Sequence, residues 1–93
     1  MKFEDTATWK AFEELGRVTF APGALSTVEK ELVAVGIAVA MRCEDCIRHH
    51  IAAALANGAG REQICDAIAV GAEMGGGPAM SAAKMAVEML NEM

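Results

Sequence analysis

The chain has 93 residues, 54% of them hydrophobic and only 4% aromatic, and a formal net charge of −5. A single domain of this size buries a limited core and commonly gains stability by oligomerising. The acidic balance argues against nucleic acid, which needs clustered Lys and Arg, and against an anionic membrane surface. The longest apolar run, Leu32 to Met41, is far short of the ~20 residues that span a bilayer, and the opening MKFEDTATWK places acids where an export signal would be apolar. The expectation is therefore a cytoplasmic protein. Its three cysteines then point to redox chemistry or metal binding rather than to a structural disulfide framework. Alanine supplies much of the apolar content, with Leu, Val, Ile and Met. That mixture suits close-packed helices and suits strands poorly.

In chain order, Asp5 is positioned to cap a first helix that carries Trp9 and Phe12 on one face and runs to about Leu15, with Gly16 as its stop. Thr19 to Leu25, containing Pro22-Gly23, reads as a connecting loop. Ser26-Thr27-Val28-Glu29 is a capping-box pattern. Leu25, Val28, Leu32, Val35 and Val39 follow at helical spacing. Val33, Ile37 and Ala40 widen the stripe, so this second helix is expected to be buried on most sides, with Gly36 allowing a close helix contact. A third helix starts near Cys43 and ends at Ala56, before Asn57-Gly58. A fourth runs from Arg61 to about Met74, with Ile64, Ile68 and Val70 on its buried face. Gly75-Gly76-Gly77-Pro78 breaks the chain. A last helix, Ala79 to about Asn91, presents Met80, Met85, Met89 and Leu90 to the core or to a subunit interface. For Cys65, on the fourth helix, packing is the expected role.

The chemistry concentrates in Cys43-Glu44-Asp45-Cys46 and His50. Three and four positions apart on a helix, Cys43, Cys46 and His50 share one face, with the sulfurs within disulfide reach. Glu31 is a lone charge on an apolar stripe. In one straight helix it would stand about 28 Å from His50 at ~1.5 Å per residue. If the chain reverses near Met41-Arg42, the second and third helices form an antiparallel pair. Glu31 then comes level with His50, and Val35 with Cys46. The CxxC would lie at a helix N-terminus, which favours a thiolate. Cys46 would act as nucleophile, His50 as its base and Glu31 as the group that orients the imidazole. Attack on the O–O bond of a hydroperoxide would give a sulfenic acid at Cys46. Cys43 would condense with it to a disulfide, and an external dithiol would restore the pair.

Glu31, eleven intervening residues, Cys43-x-x-Cys46 and His50 resemble the pattern of the AhpD-like alkylhydroperoxidases, within the carboxymuconolactone decarboxylase superfamily. The similarity extends from about Pro22 to Met89, through GALSTVEKELVAVGIAVAMRCEDCIRHHIAAALANGA and REQICDAIAVGAEMGGGPAM. The resemblance implies an all-α, AhpD-like helical bundle assembled as a trimer or hexamer, with a central antiparallel helix pair carrying the CxxC. It implies residues 1–21 as an N-terminal helix and connecting loop, and 22–93 as the carboxymuconolactone decarboxylase-like domain. It also implies a thiol peroxidase cycle with Glu31, Cys43, Cys46 and His50 as catalytic residues, no cofactor, and a peroxide and a dithiol or protein reductant as partners. One departure is Asp45, where well-studied members carry a histidine; a carboxylate there disfavours the thiolate and lowers the expected peroxide reactivity.

Three other readings compete. A helical oligomer could use the dithiol as a switch or binding module without turnover. Muconolactone decarboxylation is carried by superfamily members that generally lack the CxxC. Cys43, Cys46, His50 and Glu31 would also make a tetrahedral zinc set, although no second CxxC or HxxxH completes a familiar pattern. His49 points about 100° away from His50 on a helix and reads as surface or interface. Gly75-Gly76-Gly77-Pro78 lacks the Lys-Ser/Thr ending of a phosphate loop and reads as an interhelical turn.

Overall fold

The computed structural model describes all 93 residues as a 3₁₀ turn, Phe3–Asp5, followed by five helices and no strand: α1 Ala7–Thr19, α2 Thr27–Met41, α3 Glu44–Ala56, α4 Arg61–Gly75 and α5 Gly77–Glu92. No helix is long and apolar enough to cross a membrane. The central helix starts where the capping-box pattern places it. Glu29 N–H donates to the Ser26 hydroxyl at 3.1 Å, and Ser26 N–H donates to Glu29 Oε1 at 2.8 Å, satisfying two of the orphan donors of the first turn.

α2 packs against α3 on one side and α4 on the other, and α5 closes over α4. Their shared core consists of Val35 and Val39 from α2, Ile47 and Ile51 from α3, Ile64 and Ile68 from α4, and Met89 and Leu90 from α5. The α2–α4 crossing is set by glycine. A Cβ on Gly71 would overlap the Gly36 carbonyl, and one on Gly36 would lie 3.2 Å from the Ala67 carbonyl oxygen. The backbones therefore meet where a side chain on either helix would hold them apart. Arg61 ties the start of α4 to the end of α5 by donating to the Leu90 carbonyl at 2.6 Å.

Several expectations need correction. Thr6, not Asp5, caps α1, accepting the Trp9 amide at 3.1 Å. α1 also runs through Gly16 to Thr19, because one glycine in a helix costs only about 1 kcal/mol. α5 begins at Gly77, with Pro78 in its first turn, where the missing N–H is harmless. Only Gly76, at φ 77°, breaks the path from α4. Val70, Val33 and Ile37 are more than half exposed. Each lies two residues from a buried position, about 200° round its helix, so α2 has a core face and a bare apolar face. Cys65 is exposed as well and opens into the groove between α4 and α5 rather than into the core; Met80 lines the same groove, outside the core.

α1 differs from the other helices. It buries no residue and packs against no helix of the bundle. Phe12, Leu15 and Val18 stand exposed along it, while Trp9 meets Phe3 edge-on at 6.0 Å.

Candidate active site

Glu31 is the one charged residue in the buried set, 6% exposed. A carboxylate so placed must be satisfied locally or its burial is costly. Its partner is His50, with Nδ1 2.7 Å from Glu31 Oε1. When the carboxylate is ionised and the imidazole neutral, the hydrogen of this bond sits on Nδ1 and Nε2 keeps a free lone pair. No buried side-chain polar atom lacks a partner.

The two residues are 19 apart in sequence, and the turn between α2 and α3 brings them together. Arg42 occupies the left-handed region at φ 58°, ψ 39°. Its N–H reaches back to the Ala38 and Val39 carbonyls, and Cys43 N–H donates to Ala38 at 3.1 Å. α2 is closed off and α3 starts at once, antiparallel. Cys43 is the N-cap of α3: Cys46 N–H lies 3.3 Å from Cys43 Sγ, so a sulfur takes the place that serine or aspartate usually fills. An amide aimed at that sulfur favours negative charge on it when the bond to it breaks.

Cys43 and Cys46 are joined as a disulfide, with their Cα atoms 5.2 Å apart. Cys46 is half-buried and lies against the core. His50 is one turn further along α3, its side chain 20% exposed. The structure thus brings the four residues singled out in the sequence together as two pairs on the α2–α3 hairpin: Cys43 with Cys46 at the turn, and Glu31 with His50 further along from it. Asp45 and Glu44 are exposed in the first turn of α3. Exposed His49 meets the His50 ring edge-on at 4.8 Å. No three His, Cys, Asp or Glu side chains converge as a metal-ion set.

Sequence reasoning missed Phe20. Its ring stacks on the His50 imidazole, centroids 5.3 Å apart and planes 26° apart. It lies in the segment between α1 and α2, where an aromatic residue has no periodic signal to distinguish it. The two large apolar grooves, about 630 Å³ between α2 and α4 and about 750 Å³ between α4 and α5, contain none of the four site residues.

The sequence profile of the carboxymuconolactone decarboxylase family matches residues 7–89. The chain belongs to that family. Among other carboxymuconolactone decarboxylase family proteins, the crystal structure of an apo-protein from Legionella pneumophila is similar at 33% identity, covering 91% of this chain and 76% of that one, with a TM-score of 0.85. A family member from Thermotoga maritima, for which a role in antioxidative response is suggested, is similar at 32% identity over 94% of this chain and 90% of that one, TM-score 0.86. The chain is also 44% identical, over 82 residues covering 88% of its length and 74% of the relative's, to uncharacterized protein 4 in the cox locus of Paracoccus denitrificans.

Proposed function

We propose that this carboxymuconolactone decarboxylase family protein reduces hydroperoxides through the Cys43–Cys46 dithiol, with His50 and Glu31 as its proton relay. One observation carries this reading: the 2.7 Å bond between Glu31 and His50 Nδ1 fixes the imidazole one turn from Cys46, with Nε2 unencumbered. In the reduced protein, His50 takes the Cys46 proton and Glu31 stabilises the resulting imidazolium. The Cys46 thiolate attacks one oxygen of the hydroperoxide. The O–O bond breaks, Cys46 becomes a sulfenic acid, and the leaving alkoxide takes the proton from His50 and departs as an alcohol. The Cys43 thiol then displaces the sulfenic hydroxyl, releasing water and forming the disulfide. An external dithiol reduces it by two exchanges and is itself oxidised to a disulfide. In the first exchange Cys43 is the natural leaving group, because the Cys46 amide is aimed at its sulfur.

The test is peroxide consumption with a dithiol reductant. Wild type turns over repeatedly and Cys46→Ser falls to background; an unchanged rate in Cys46→Ser overturns the mechanism. A second reading, a redox sensor without turnover, is favoured by Asp45 beside the nucleophile, since a carboxylate there opposes the thiolate. A disulfide that forms once per chain, with no multiple turnover, identifies the sensor. The working form in either case is proposed to be a homo-oligomer, a trimer or hexamer. The exposed apolar residues of α1, α2 and α4 support it.

A further inference from the structure

We propose that Phe20 is a positioning residue for His50, and that the segment joining α1 to α2 is a strap pinned so as to hold the Phe20 ring against the imidazole. This rests on the relay assigned above. The Glu31 bond fixes one atom of the imidazole and leaves the ring free to rock about it. A stacked aromatic removes that freedom. It also covers one face of the ring from water and favours the cation formed when His50 accepts a proton. His49 stands perpendicular to the His50 ring and is itself exposed, so Phe20 is the one ring stacked parallel to the imidazole plane.

The strap is held by anchors on three consecutive residues. Phe20 N–H donates to Gly16 at 3.0 Å. The Phe20 carbonyl accepts the Thr27 hydroxyl at 2.8 Å. The carbonyls on either side, Thr19 and Ala21, accept from Lys30 Nζ at 3.0 and 2.7 Å. Thr27 and Lys30 both belong to α2, and Lys30 immediately precedes Glu31. The helix that supplies the orienting carboxylate therefore also holds the strap. Lys30 makes no salt bridge: its ammonium is committed to two backbone carbonyls, an arrangement that fixes chain path. This pinning keeps the Phe20 ring stacked on the imidazole.

The experiment follows the His50 Nδ1–H by nitrogen-labelled NMR, and separately follows single-turnover oxidation of the reduced dithiol by cumene hydroperoxide. Wild type, Phe20→Leu, Phe20→Tyr and Lys30→Met are compared, with helicity checked by circular dichroism. In Phe20→Leu the Nδ1–H is expected to exchange with solvent about tenfold faster, and thiol oxidation to slow about tenfold. Phe20→Tyr, which keeps the stacked ring, recovers both to within about twofold. Lys30→Met, which frees the strap but keeps the phenyl ring, shifts both in the direction of Phe20→Leu. Unchanged Nδ1–H exchange in Phe20→Leu overturns the proposal, whatever happens to the rate. Faster exchange combined with an oxidation rate indifferent to both Phe20→Leu and His50→Ala supports the positioning role and overturns the peroxidase reading instead.

Discussion

The carboxyl of Glu31 has no solvent to fall back on, and its role follows from that. In Glu31→Gln the amide oxygen still accepts from Nδ1 but carries no charge to stabilise an imidazolium. Single-turnover thiol oxidation is expected to slow by about 10²-fold, with His50→Ala slower by the same order or more. Stopped-flow measurement of both variants checks this; a Glu31→Gln rate equal to wild type removes the carboxylate from the relay. Glu31→Ala goes further and strands the Nδ1–H in a part-buried site, so urea unfolding should show a loss of about 1–3 kcal/mol. The Glu31–His50 meeting was legible in the sequence. An acid interrupts an apolar stripe, a histidine follows the CxxC by one turn, and a reversal at Met41-Arg42 makes them level. Phe20 was not legible. Stacking is set by where an irregular segment is tied down, and the ties from Thr27 and Lys30 to backbone carbonyls leave no mark on residue type.

For the helices, the decisive contact is the α2–α4 crossing. Gly71→Ala pushes a methyl group into the Gly36 carbonyl and the Val39 side chain. It is expected to cost about 1–3 kcal/mol despite the better helix propensity of alanine; chemical denaturation against wild type measures it. The start of α2 responds to acid. Hydrogen bonds from the Ser26 backbone and hydroxyl hold the exposed Glu29 carboxyl below its ordinary value of 4.5. A lowered folded value means that the stabilisation is complete above 4.5 and disappears as pH falls through that lowered value. The drop in melting temperature on acidification should therefore be shallower in Glu29→Gln than in wild type, and parallel curves would show that the cap contributes nothing. Ser26 and Glu29 announced this helix start, because a capping box is a local device. Helix ends were read less well. Gly16 looks like a stop but lies inside α1, where the neighbouring turns outweigh its modest intrinsic penalty, and Gly75 is still the last residue of α4.

Considered whole, the molecule carries more bare apolar surface than its core requires. Phe12, Leu15 and Val18 project from a helix with no partner, and Val33, Ile37, Val70 and Met74 line an open groove. Faces of this kind mark association sites. Light scattering after gel filtration should find an oligomer, and Phe12→Asp should shift it to smaller species with helicity unchanged; a wild type that runs as a single chain would refute the assembly. Composition already hinted at this surplus, since an apolar stripe wide enough to wrap α2 exceeds what its three short neighbours cover. Which residues would face inward could not be read, because Val33 and Val35 are equally apolar and only the packing partner distinguishes them. The left-handed Arg42 has a further consequence. With a reversal this tight, the residue count from Glu31 to His50 behaves as a fixed ruler: inserting one amino acid into α3 ahead of His50 would swing the imidazole about 100° around its axis, so homologous designs can exchange side chains along this stretch far more freely than they can change its length.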